Sequence, residues 1–173
     1  MRLFIPATLA MLETLLDSGE MPVRSGTAFA ATPALVESYA EGDTEEIEHV
    51  AYLEAARASL RLLGGEIDSG AVHDTHPYRR VVVSVDVPDA DTQPRPDLDT
   101  AVVRLSRGTV GMEEIAAVHV DLAGAAGAVE AAVEAVDRAD LGDEDAELTV
   151  GDALDIDLAW YDAGELPFLL NLL

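Results

Sequence analysis

DTEEIEHVAYLEAARASLRLLGG, residues 43–65, precedes a short connector and then RRVVVSVDV, residues 79–87, and this reach of chain decides the fold class. Asp43 followed by Glu46 is a capping box, with carboxylates placed at the positive end of a helix dipole. It predicts a helix over 44–63 that stops at the Gly64-Gly65 pair. The Val-rich run after Arg79 predicts a strand to Val87, and residues 64–78 between them read as a mobile connector. A long helix beside a β-branched strand calls for a sheet with helices laid on it.

The flanking sequence repeats that theme. Arg2–Pro6 reads as a strand, and Thr8 caps a helix over 9–17 that Gly19 ends. Thr27–Ala31 is a second strand, and Thr32-Pro33 starts a short helix that ends by Gly42. Beyond the long helix, Pro88–Asp99 with its prolines reads as a loop and Ala101–Leu105 as a strand. Gly111–Ile115 makes at most a turn of helix, and Ala117–Leu122 alternates as a strand. Gly124–Arg138 is an Ala-rich helix striped by Val129, Val133 and Val136. An acidic loop is expected at 140–147 and a strand over 154–160, with Leu154, Ile156, Leu158 and Trp160 inward. Glu165–Leu170 forms an apolar helical cap. The expectation is a single α+β domain over 1–173, a mixed β-sheet covered by helices, with a three-layer α/β arrangement as the alternative.

Charge bounds the partners. The chain carries 34 acidic residues against 10 basic ones, for a formal net charge of −24, and every basic residue is Arg. Such a surface repels phosphate backbones and anionic membranes over a Debye length of about 8–10 Å. No direct nucleic-acid or membrane binding is therefore expected. GC-rich codon usage and a halophilic habitat both account for acid-rich, lysine-free composition. The hydrophobic fraction of 49% supports a folded core. The absence of cysteine excludes disulfides and thiolate catalysis. The N-terminal apolar run is broken by Pro6, Glu13 and Asp17 and makes a poor signal peptide. A cytoplasmic protein is expected.

Few residues suggest chemistry. On a helical wheel of 44–63, Ile47, Val50, Ala51, Ala55, Ala58 and Leu62 share one face. Glu54 and Arg61 fall within that arc and Arg57 at its margin, so Glu54 and Arg57 or Arg61 are expected to be substantially buried and paired, as an internal salt bridge or as a grip for an anionic ligand. His49 lies on the opposite, wet side with Glu45, Glu48 and Tyr52. His73-Asp74-Thr75-His76 has ligand-type residues but lacks a rigid frame, and His119 and Asp121 share a strand face that meets solvent. Asp143-Glu144-Asp145 lacks the glycine and terminal glutamate of a calcium loop. Gly124-Ala-Ala-Gly127 is a loose dinucleotide-loop match without the full glycine spacing. Trp160 is expected as a core anchor. No cofactor and no metal are expected, and no catalytic residue is assigned.

Read together, MRLFIPAT at 1–8, AFAATPALVESYAEGD at 28–43, AARASLRLL at 55–63, RRVVVSVDVPDA at 79–90, AVHVD at 117–121 and WYDAGEL at 160–166 form a recognisable set. The ensemble resembles an uncharacterised family of small cytoplasmic proteins from actinobacteria, over nearly the whole chain. The resemblance implies a GC-rich actinobacterial source and carries no catalytic residue with it. Function thus reads as unknown, a non-catalytic protein-interaction or regulatory module with a protein partner, a second copy of the chain included. The alternative is a binder of, or enzyme on, a small anionic ligand through Arg57 and Arg61 with Glu54. An acidic nucleic-acid mimic is the second alternative.

Overall fold

The computed structural model describes residues 1–173. The first strand, β1 (Arg2–Ala7), ends where Thr8 caps α1 (Leu9–Ser18), its side chain accepting from the Met11 amide. Gly19, at φ +80°, closes that helix in the left-handed region. There follow β2 (Glu20–Pro22), β3 (Thr27–Phe29), α2 (Pro33–Glu37), α3 (Thr44–Ser69) and β4 (Val81–Asp86). The chain continues through β5 (Thr92–Pro94), β6 (Val102–Leu105), β7 (Thr109–Gly111) and β8 (Ile115–Val120). It ends with α4 (Ala126–Asp140), α5 (Glu144–Leu154), β9 (Ala159–Asp162) and α6 (Leu166–Leu172). Seven strands form one sheet in the order β5-β6-β3-β1-β4-β8-β9, and β2 and β7 pair separately. The α+β class holds, with every strand pair antiparallel.

The two-residue period of the strands sorts the core. Leu3, Ile5, Val81, Val83, Val85, Val118 and Val120 point to one face, where α1 (Leu9, Leu12, Leu15) and α6 (Leu166, Leu169) cover them. Phe4, Phe29, Val82 and Val102 point to the other, against Ile47, Ala51, Ala55 and Ala58 of α3. Those alanines let the helix backbone lie close to the sheet. Leu60 and Leu63 carry α3 onward into a third cluster with Val129, Val136 and Val150 of α4 and α5.

Several expectations change, and the Pro88–Asp99 stretch read as a loop carries β5. The long helix does not stop at Gly64-Gly65 but runs to Ser69, with Gly70 as its left-handed cap. The continuation is secured by Leu63 and by Glu66, whose Oε1 accepts from Thr8 Oγ1 at 2.5 Å. Residues 144–154 are helical, not a loop followed by a strand: Asp143 caps α5 by accepting from the Ala146 amide, and Glu144, Asp145 and Glu147 sit in its first turn. The last strand begins only at Ala159, so Trp160 stands 61% exposed while Tyr161 packs towards the core. A strand displaced along the sequence turns a different set of side chains outward.

One ion pair is wholly enclosed. Arg80 donates from Nε and Nη2 to the two oxygens of Asp121, both at 2.8 Å, with neither side chain exposed. The Arg80 amide also donates to Asp121 Oδ2, and Nη2 reaches the Ile156 carbonyl. Asp121 therefore does not meet solvent, and the Arg79-Arg80 pair makes no surface patch, since Arg79 is also buried. Such a pair is costly to break from one side, by about 3–5 kcal/mol.

Candidate functional site

The sheet face under α3 holds a recess of about 280 Å³. Its floor follows from register: Phe4 lies opposite Ser84, Ser84 opposite Ala117, and His119 opposite Trp160, so β1, β4, β8 and β9 all contribute to one face. Its roof is the first two turns of α3, where Glu45, Glu48, His49 and Tyr52 fall on one side of the helix. Arg2 closes the outer end, held bidentately by Asp86 at 2.7 and 3.0 Å.

Tyr52 is the central wall. Its ring meets Phe4 edge-on at 6.1 Å and His119 at 5.1 Å, and stacks on His49 at 5.6 Å. Burial raises its phenol above the ordinary range. Ser84 Oγ and His119 Nε2 lie 3.1 Å apart, with Ser84 donating when that nitrogen is unprotonated. Burial, helped by the Arg2 charge, pushes the His119 imidazole down to about 4, so it is neutral at pH 7. The recess thus combines three aromatic rings, two carboxylates at the rim and a neutral serine–histidine pair.

The residues singled out from sequence lie elsewhere. Arg57 binds Glu147 through Nη1 and Nη2 at 2.7 and 2.8 Å, and Asp140 through Nη2 and Nε at 3.1 and 3.3 Å. Arg61 binds Asp140 through Nε and Nη2 at 2.7 and 2.8 Å. These contacts clamp α3 to the α4–α5 pair and hold Asp140 and Glu147 below the usual carboxylate range. Arg57 is 14% exposed and Arg61 39% exposed. Glu54 is half-buried and pairs with neither arginine, and burial raises its pKa. The expected internal pairing with Glu54 is therefore replaced by pairing to α4 and α5. The buried arc of α3 is centred about a quarter turn from the expected face, because Ala56, Ser59, Leu60 and Leu63 are drawn inward. That rotation takes Glu54, Arg57 and Arg61 off the sheet and sets Glu48 and Tyr52 over it.

The 73–76 segment is tied down locally. His73 Nε2 lies 2.9 Å from Glu13 Oε1, and its Nδ1 accepts from the His76 amide at 3.1 Å. No group of three or more His, Asp or Glu side chains is placed to hold a metal. Sequence reading left out Ser84 and set Tyr52 on the wet side of its helix, whereas it faces the sheet. The signal that could have found Ser84 is cross-strand: it interrupts a valine run on the face that His119 shares.

A family described as a family of unknown function (DUF6912) matches residues 1–170. No curated protein and no solved structure matches.

Proposed function

The chain belongs to this family of unknown function, and from that premise we propose that it is a non-catalytic interaction module that receives a Lys or Arg side chain of a basic protein partner. The observation that carries the reading is the recess itself. Phe4, Tyr52 and exposed Trp160 present aromatic surface, and Glu45 and Glu48 stand at the rim against a single guanidinium, Arg2, already neutralised by Asp86. A cation over an aromatic face gains about 0.5–2 kcal/mol, more as it is desolvated. The net charge of −24 steers a basic partner towards this surface and away from competing anions. The resemblance stated above implies an actinobacterial cytoplasmic setting, and arginine without lysine fits the GC-rich codon usage of such a source. No helix is long and apolar enough to cross a membrane.

Trp160 is the only tryptophan, so its fluorescence reports on the recess directly. Titration with a Lys/Arg-rich peptide is expected to give a saturable change that weakens with salt. A peptide with norleucine in place of lysine is expected to give none. Tyr52→Ala is expected to weaken binding by about threefold to thirtyfold, the worth of one cation–aromatic contact. Equal response to the neutral peptide sinks the reading.

The 3.1 Å approach of Ser84 to His119 supports a second, hydrolytic reading. An imidazole held at about 4 is a weak base at neutral pH. Labelling of Ser84 by a fluorophosphonate probe would favour that reading over the first. Anion capture by Arg57 and Arg61 requires displacement of Asp140 and Glu147, which makes it the weaker alternative. Nucleic-acid mimicry draws on the acidic second half, where Asp121, Asp140 and Glu147 are already engaged by arginines.

A further inference from the structure

Between α1 and the second half of α3 lies a different recess, of about 340 Å³, sharing no residue with the one under Tyr52 and Trp160. Met11, Leu62 and Ala71 give it apolar walls, and Gly65 leaves one side open: a Cβ built there meets nothing within 4 Å. At its base is Glu66, only 8% exposed. One carboxylate oxygen, Oε1, accepts from Thr8 Oγ1, while Oε2 is enclosed with no hydrogen-bond partner at all. An orphaned buried carboxylate oxygen costs about 1–3 kcal/mol or more, and a folded chain rarely leaves one without a purpose.

Arg24 borders the same recess. It sits before Ser25, whose φ of +57° is a left-handed conformation unusual for serine, and Gly26, where a Cβ would stand 2.8 Å from the Leu105 carbonyl oxygen. Arg24 forms no salt bridge. Burial raises the Glu66 pKa, and the Thr8 hydrogen bond and the more distant Arg24 charge only partly oppose it. Arg61 reaches the rim with Nε and Nη2 already given to Asp140. Glu66 and Arg24 thus line one mainly apolar recess without pairing with each other, and Glu66 Oε2 has no donor.

We infer that this recess binds a small zwitterion, an ammonium and an acid group on an aliphatic frame, with the ammonium donating to Glu66 Oε2 and the acid accepting from the Arg24 guanidinium. A free amino acid has this chemistry. The ammonium satisfies the orphaned oxygen, the acid engages an otherwise unpaired arginine, and the aliphatic part lies on Met11 and Leu62. A singly charged ligand meets only one of these needs.

Calorimetric titration of the full chain with glycine, alanine, leucine and γ-aminobutyrate, together with leucinamide and 4-methylpentanoate, tests the inference. At least one zwitterion is expected to bind saturably at one site, and the singly charged analogues of leucine to bind at least about tenfold more weakly than leucine itself, the worth of a charge-assisted hydrogen bond. Arg24→Ala, at an exposed position, is expected to cost a similar factor with the fold unchanged by circular dichroism. Gly65→Leu fills the recess while leaving the Glu66 residue itself in place, and is expected to abolish binding. Absence of saturable binding by all four zwitterions overturns the inference. So does equal affinity for leucinamide and leucine, or full affinity in both variants.

Discussion

His119 couples the recess to acid stability. Held at about 4 by burial, its imidazole takes up a proton far less readily in the fold than in the unfolded chain, where histidine titrates near 6.5. The unfolded state therefore binds more protons between those values. Stability is complete above about pH 6.5 and is lost as pH falls towards about 4. With allowance for the partial exposure of the ring, the loss is about 1–2 kcal/mol. Urea unfolding at pH 7 and pH 4.5 is expected to show a smaller drop in His119→Asn than in the native chain. His76 is also held low by burial and contributes equally to both proteins, so it cancels in the difference. Identical drops would assign the acid limb to other groups. At this scale the sequence was least legible. Arg57 and Arg61 could be recognised as needing carboxylate partners, but Asp140 and Glu147, more than 75 positions away, are found only through the packing of α4 on α3.

Elements were legible where their signals are local. The Thr8, Thr32 and Asp43 caps and the Gly19 stop all stand where side-chain chemistry puts them. Signals that packing can override misled. Two adjacent glycines cost a helix about 1 kcal/mol each, yet α3 runs through them to Ser69, with Leu63 buried before them and Glu66 bonded by Thr8 after them. Gly65→Ala is accordingly expected to raise stability by about 0.5–1 kcal/mol, since the added methyl meets nothing and helix propensity improves. Chemical denaturation checks it, and a destabilised variant would mean that the glycine is needed for conformational reasons. The phase of α3 was misjudged for a related reason. Alanines on adjoining faces, Ala51, Ala55, Ala56 and Ala58, give the wheel no clear maximum, so Leu60 and Leu63 decide which side is buried. In the acidic 140–147 run, charge density concealed a helix start at Asp143.

Across the whole molecule, composition speaks to association more than to topology. Of the ten arginines, Arg79 and Arg80 are buried, while Arg2, Arg57, Arg61, Arg95 and Arg107 are held by carboxylates. Few remain to meet a phosphate, and each phosphate contact requires a cation. Anisotropy titration with DNA or RNA at about 50 mM salt, where such binding is strongest, is expected to show none. Salt-sensitive micromolar affinity would overturn that. The antiparallel sheet also sets an order in time. The recess under Tyr52 takes its floor from β1, β4, β8 and β9, the first strand and the last. During synthesis α1 can close onto β1 and α3 can follow, while β4, β8 and β9, which complete the floor, are still to come. Trp160 is the last of the lining residues to be synthesised, so a partner meets a finished receptor only on chains already made past β9.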